Sequence, residues 1–399
     1  MEGAALVVVA AVVFVWGAFS ARLERADLSG PIVFIAVGTA LAAFGLTHPG
    51  TAPGTLKPLI EITLVWLLFS DASRVGLRDL RGDIGLVVRL LAVGLPLTVL
   101  AGWGLAMWLF PALGLWLALL VGAAVAPTDA ALGIPVVTNT AVPVRIRRVI
   151  TVESGLNDGI ATPIVMVAIA GALTMDGSGG AGAGGALVEL AIGVAVGAAI
   201  GFVGGRLLRW TRRRGWAAED LAGVAVLALA VGIYATALTV HGNGFVAAFC
   251  GGTAFGAAAG RRGPEGLVLI AQVGGAVSLL VWLAFGAIAV PLLVERLDWT
   301  LLLYAALSLT AVRMVPVALS LVGSRLAGRT VLFVGWFGPR GLASLVFALL
   351  ALEEIGAGAD DAVAVIAGTV LVSALAHGLT AAPLAARYGR GGSQRLSRG

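Results

Sequence analysis

Apolar runs near the roughly 17–25 residues that a helix needs to cross a bilayer recur thirteen times along the chain, separated by short polar connectors. They cover approximately 3–20, 30–47, 57–74, 84–109, 112–137, 149–173, 186–206, 219–239, 243–259, 267–293, 299–322, 330–350 and 361–386. The pattern predicts an all-α polytopic membrane protein of about thirteen transmembrane helices. The first run lacks a basic start and a small-residue cleavage site, so it reads as a retained span. The run "MDGSGGAGAGG" from Met175 reads as a flexible connector. No soluble domain is expected: residues 1–390 form one transmembrane domain and 391–399 a short disordered cytoplasmic tail.

Composition sharpens this picture. Hydrophobic residues make up 59% of the 399, charged residues 12%, and mean hydropathy is +1.03, whereas soluble domains carry about 25% charge. A net charge of +5 in a soluble domain would point to nucleic acid. Here its placement is topological: alternate connectors hold twenty-one Lys or Arg, and the other set holds only Lys57 and Arg296 among seven acids. Because basic residues gather on the cytoplasmic side, the chain should run N-out and C-in. One cysteine, Cys250, forbids an internal disulfide and reads as a packing residue. No GxxxxGK[ST] occurs, so energy must come from an ion gradient or from a partner.

Two runs carry helix breakers around charge. In "GAAVAPTDAALGIPVV" Pro127 and Pro135 surround Thr128 and Asp129, and in "FVGWFGPRGLASLVF" Gly338, Pro339 and Gly341 surround Arg340. Interrupted helices in corresponding positions mark secondary transporters built from inverted repeats. These lie seven segments apart, which makes segments 5 and 12 the discontinuous crossing helices. The two inverted repeats then span about 3–173 and 219–386, with 186–206 as a linker helix. Half-helix ends that meet in a low-dielectric site expose partial charges of both signs. Asp129 and Arg340 have the signs to compensate them.

Charged residues deep in a span are functional candidates. In "ESGLND" the pairs Glu153 and Asn157, and Ser154 and Asp158, are each four apart, so one helix face gathers four polar groups. Asp158, with the Thr128 hydroxyl and the carbonyls freed by the broken fifth helix, offers hard oxygen ligands to a small cation, and the absence of imidazole and thiolate argues against zinc or copper. A buried carboxylate can also hold a proton. Glu153 needs a counter-charge, and the deep Arg313 of "VRMVPV" supplies one. Asp158 is left as the group free to exchange. Arg89, Glu189 and Glu61 lie near segment ends and read as snorkelling side chains. His48 and His241 fall in connectors, and His377 lies in the last span, where a structural hydrogen bond outweighs pH sensing.

In its motifs the chain resembles the electroneutral sodium/proton exchanger branch of the cation:proton antiporter superfamily. "LLFSDASRVGLRDLR", "APTDAALG", "ESGLNDGIATP", "HGNGFVAAFCGGTAFG", "VRMVPV", "GPRGLASL" and "HGLTAAPLAARYG" stand in the family order, and the Asn157–Asp158 pair is the most specific mark. The resemblance implies thirteen helices, a dimerisation domain and a moving core domain. It implies one cation exchanged per proton, Asp158 as carrier, Thr128 and Ser154 as ligands with Asn157 beside them, and a homodimer. It maps the structural ion pair onto Glu153 and Arg313, and the helix-crossing charges onto Asp129 and Arg340. Two departures stand out. Ala130 follows Asp129 where the family often has proline, and Ser70 precedes Asp71 where the family acid often directly follows phenylalanine, which makes Asp71 a second, weaker candidate ligand.

The expectation is therefore a multi-pass protein of the plasma membrane that exchanges Na+ for H+ by alternating access, serving pH homeostasis, with the monovalent cation held at Asp158. Neither a cofactor nor a catalytic residue is expected. K+/H+ antiport and a cation channel without proton coupling are the alternatives. An intramembrane protease would need a second catalytic Asp in a Gly-Asp context or a Ser–His pair at matching depth, and an organic-anion carrier would need a basic centre; the sequence has neither.

Overall fold

A computed structural model describes residues 2–24, 30–46, 57–74, 83–129, 134–175, 182–260 and 267–396. The described residues are helical, without a strand. In chain order the helices are α1 (Glu2–Glu24), α2 (Gly30–Ala43), α3 (Lys57–Arg74) and α4 (Ile84–Leu109). α5 has two arms, α5a (Gly114–Ala124) and α5b (Ile134–Val137), followed by α6 (Val144–Met175), α7 (Gly182–Arg213), α8 (Glu219–Thr239), α9 (Gly244–Ala259) and α10 (Leu267–Glu295). α11 (Trp299–Ser320) is interrupted at Thr310, α12 has the arms α12a (Gly328–Trp336) and α12b (Leu342–Ile355), and α13 is Asp360–Leu396. All thirteen expected segments coincide with these helices. The loop after Met175 and His48 lie outside the described residues.

Two details differ from the sequence reading. α4 carries a π-helical turn at Leu90–Gly94, just ahead of Pro96, where a continuous helix was expected. α13 continues to Leu396, so the tail expected from 391 is helical for its first six residues. No proline falls beyond Pro383 to stop it, and Gly389 lets the helix backbone approach Ala141.

Among the described residues seven helices are long and apolar enough to cross a membrane. Large apolar side chains face outward, with Phe14, Phe44, Trp108 and Leu379 all more than 70% exposed. Contiguous exposed apolar surface is what a lipid-facing perimeter requires. The chain is a multi-pass membrane protein.

The helices pack as two groups. α2, α3 and α7–α10 pack chiefly on one another, with α1 resting on α2; α4–α6 and α11–α13 form the second group. The first is held by small residues. Gly193, Gly197, Gly201 and Gly205 of α7 stand one turn apart against the backbone of α9 at Asn243, Ala247, Gly251 and Phe255, and a Cβ at any of them would meet that backbone or the side chain beside it. Lipid supplies no hydrophobic drive between helices, so such close approach carries the association. α9 in turn presents Gly252 and Gly256 to α3, where Ser73 Oγ donates to Gly252 O at 3.0 Å.

Ion pairs join the two groups at one end of the molecule. Lys57 at the start of α3 meets Glu354 of α12b at 2.6 Å, and Arg296 after α10 meets Asp360 and Asp361 of α13 at 3.0 and 2.7 Å. At the other end, Asp83 before α4 pairs with Arg145 of α6 at 2.6 Å, within the second group.

Candidate ion site at the helix interruptions

The site begins where α5 stops. α5a ends at Ala124, three residues before Pro127, whose missing N–H and ring exclude helix continuation. α12a ends at Trp336, and Phe337–Gly341 runs without helix before α12b starts at Leu342. The interruptions lie against each other: the Asp129 N–H donates to Pro339 O at 2.8 Å. Glycine is required here, because a Cβ at Gly341 would run into the Asp129 carboxylate, and one at Gly338 into the Arg313 guanidinium and Thr128 methyl.

The N-terminus of α12b and the carbonyl ends of α5a and of the first half of α11 receive the opposite charge. Asp129 Oδ2 accepts from the Leu342 N–H at 3.0 Å, so a carboxylate from α5 caps the N-terminus of α12b. The wholly buried Arg340 donates through Nη1 to Ala126 O at 2.6 Å and Pro127 O at 3.2 Å, and through Nη2 to Ser308 O at 3.2 Å. One guanidinium thus serves the carbonyl ends of α5a and of the first half of α11. Removing either charge would leave backbone groups unsatisfied in a dry interior.

α6 supplies the polar face beside this crossing. Glu153 accepts from Arg313 Nη2 at 2.6 Å, and both side chains are 2% exposed or less. Thr128 Oγ1 lies 2.9 Å from Ser154 Oγ and accepts from Asn157 Nδ2 at 2.7 Å. An amide nitrogen can only donate, so Thr128 Oγ1 accepts from Asn157, while either hydroxyl can donate in the Thr128–Ser154 contact. Asn157 Oδ1 is buried without a partner.

Asp158 follows directly on α6. Its carboxylate is buried and accepts no hydrogen bond among the described residues; only its backbone carbonyl is engaged, by Thr162 Oγ1 at 2.7 Å. A buried carboxylate without donors must find a proton or a cation. Asp71 and Asp129 are the acids nearest to it. Asp71 approaches from α3, its Cβ 3.7 Å from where a Cβ on Gly155 would stand, which brings the first group of helices to the site. Phe249 of α9 packs on Gly159, one residue past Asp158, from the same group. The oxygens of Asp158, Asn157, Ser154 and Thr128 are hard ligands, and no three His, Cys, Asp or Glu cluster among the described residues as a metal cage would require.

The sequence did not disclose the carbonyls that Arg340 serves, nor Ser373 of α13, and for His377 it predicted a structural hydrogen bond without its partner. Ser373 Oγ accepts from the Arg340 N–H at 2.7 Å, and His377 Nε2 lies 2.9 Å from Trp336 O. Their four-residue spacing on one face of the last helix was the available signal. His241 sits at the α8–α9 turn with φ 56, exposed and distant in sequence from the site.

A family model described as "Sodium/hydrogen exchanger, transmembrane" matches residues 8–387. A curated relative, the K(+)/H(+) antiporter NhaP of Alkalimonas amylolytica, is 27% identical over 344 residues, which is 82% of this chain and 57% of that protein. The chain therefore spans somewhat more than half of the relative's length. In fold the chain is similar to the sodium proton antiporter MjNhaP1 from Methanocaldococcus jannaschii at pH 8, with a TM-score of 0.77 at 20% identity, covering 98% of this chain and 100% of that one. A second structure of MjNhaP1, from electron microscopy, aligns with a TM-score of 0.74 over 97% and 98% of the two chains.

Proposed function

The chain belongs to the sodium/hydrogen exchanger family, a family of transporters and not of enzymes, and from that premise we propose that it is a secondary antiporter in which Asp158 carries a monovalent cation and a proton in turn. The observation that carries this reading is the state of Asp158, a buried carboxylate with no donor, one residue from the orphaned Asn157 Oδ1 and one helical turn from Ser154, whose hydroxyl meets that of Thr128.

One carboxylate cannot hold both ions. Deprotonated Asp158 takes the cation from one side, the group α4–α6 and α11–α13 moves against the other group, the cation leaves, and a proton replaces it for the return. Reorientation with Asp158 empty and charged would place an unpaired charge in a dry interior, at a cost of several kcal/mol. That prohibition suppresses the leak and makes exchange one for one, hence electroneutral. Thr128, Ser154 and Asn157 complete the coordination, and Asp71 is the second acid within reach. The buried Glu153–Arg313 pair and the Asp129/Arg340 compensation hold the crossing while the site loads and unloads.

The further features of this reading are thirteen crossings from N-out to C-in, inverted repeats over about 3–173 and 219–386 around a linker helix at 186–206, a homodimer, and residence in the plasma membrane. Na+ is the proposed cargo, and K+ is the second reading, favoured by the activity named for the curated relative.

The test is cation-triggered proton release from acidified everted membrane vesicles, followed with a pH-sensitive dye. Na+, Li+ or K+ is expected to alkalinise vesicles holding the wild type and to have no effect with Asp158→Ala at equal expression. A steady cation current without proton movement would instead indicate a channel. Full exchange by the mutant would transfer the carrier role to another carboxylate, with Asp71 tested next.

A further inference from the structure

The interruption of α12 leaves two polar backbone groups facing α13. One is the carbonyl of Trp336, in the last turn of α12a; the other is the N–H of Arg340, just before α12b. Both are taken by neighbours on one helix face, since His377 Nε2 lies 2.9 Å from Trp336 O and Ser373 Oγ accepts from the Arg340 N–H at 2.7 Å. The two side chains are joined as well, with Ser373 Oγ 3.1 Å from His377 Nδ1. Both are buried, and the His377 ring also lies against Trp336 at 5.2 Å between centroids.

We propose that His377 and Ser373 are a positioning pair that staples the two ends of the α12 interruption and thereby holds Arg340 in register with α5a. Donor and acceptor counting fixes the two backbone contacts, and a neutral ring then sets the direction between the side chains. A backbone N–H only donates, so Ser373 Oγ accepts from Arg340; on a ring protonated at Nε2 alone, Nδ1 is an acceptor and takes the Ser373 hydrogen. A carbonyl only accepts, so His377 Nε2 carries the hydrogen and donates to Trp336 O. A neutral ring satisfies every member. Through Arg340 the staple reaches Ala126 O and Pro127 O, the residues immediately before Thr128. The pair touches no cargo and acts on the cation ligands only through the position of the crossing.

Nδ1 also lies 2.9 Å from the Ser373 carbonyl, so a doubly protonated ring could instead donate to two carbonyls. The charged side chains facing the ring are Arg340 and Arg313. The neutral and charged forms differ in what they predict for pH.

The inference rests on the antiporter reading for its kinetic part and not for its structural part, so the experiment has two arms. In the first, hydrogen–deuterium exchange of purified protein in nanodiscs follows the peptide containing residues 337–342 in wild type, Ser373→Ala, His377→Ala and His377→Gln. Ser373→Ala and His377→Ala are expected to speed exchange at the Arg340 amide about tenfold, the effect of losing one buried hydrogen bond. Unchanged exchange in both overturns the staple, whatever the protein transports. Ser373→Ala is the milder change and keeps this arm decisive if His377→Ala does not fold.

In the second arm, reconstituted vesicles give KM and Vmax for Na+. His377→Ala and Ser373→Ala are expected to raise KM about three- to tenfold with Vmax within about twofold. His377→Gln, whose amide nitrogen can still reach Trp336 O, should fall between them and wild type. A lower Vmax at unchanged KM means only loss of folded protein and overturns the positioning role. The pH dependence of KM is expected to have the same shape in wild type and His377→Gln. If wild-type KM climbs on alkalinisation through the histidine range and the Gln variant abolishes the climb, the neutral staple is wrong. Should no monovalent cation move protons in wild type, the antiporter reading fails while the exchange arm still decides the staple.

Discussion

Glu153 and Arg313 show how far a single residue can be read from sequence. They lie 160 positions apart, yet each is a charge that lipid-depth burial forbids alone, and the complement of sign is visible in the linear chain. Arg340 shows where such reading stops. Its charge is legible, but its partners are the carbonyls of Ala126, Pro127 and Ser308, and every residue has a carbonyl. Ser373 went unread, and the structural hydrogen bond expected of His377 stayed without a partner, for the same reason: what they hold is backbone. The buried pair carries a stability prediction. Glu153→Gln strands a guanidinium in a dry site and should cost about 3–5 kcal/mol, whereas Glu153→Leu with Arg313→Met, which removes both charges, should cost clearly less. Chemical denaturation of the two variants in detergent would separate them, and equal losses would refute the pairing as the source of the effect.

At the scale of elements, hydrophobic run length located all thirteen helices, because a bilayer imposes a minimum length that soluble proteins do not. The breaks in α5 and α12 were legible through proline and glycine. The π-turn of α4 and the break at Thr310 were not read, although Pro96 stands just after the first and Pro316 in the half-helix that follows the second. The α7 glycines stand at every fourth residue, and the purpose of that stripe appears once α9 lies across them. Gly197→Val puts a branched side chain against the Ala247 carbonyl and should destabilise by about 1–3 kcal/mol, read as a lowered Tm. Gly232, with open space at its Cβ, is the matched control. α11 offers a pH test outside the membrane. Asp298 caps it, taking the Thr300 hydroxyl at 2.5 Å and the Leu301 N–H at 2.8 Å, and these bonds hold its carboxyl below the ordinary carboxylate value. A depressed value means that the cap stabilises the fold at neutral pH and loses that effect as pH falls through it. Asp298→Asn should therefore flatten the acid limb of the stability curve and leave its neutral limb nearly in place.

The whole molecule divides into a group bound by backbone contact and a group built around charged crossings. The division follows from what each interface contains. Glycine-lined helices in contact through their main chains have no side chains to rearrange, so α3, α7 and α9 behave as one plate. The second group meets the first along α6 against α7 and α13 against α10, at Asp158 through Asp71 and Phe249, and at the rim through Lys57–Glu354 and Arg296–Asp360/Asp361. Those rim partners are a third or more exposed in the Lys57 pair, and Arg296 is comparably open. Exposed pairs are worth little individually and are screened by electrolyte, whose Debye length is near 8 Å at physiological strength. Dissolved salt therefore loosens the clasp between the two groups from outside the site, and it does so without selectivity or saturation. A carrier of this build feels the saltiness of its surroundings through its rim, in addition to whatever it binds at its centre.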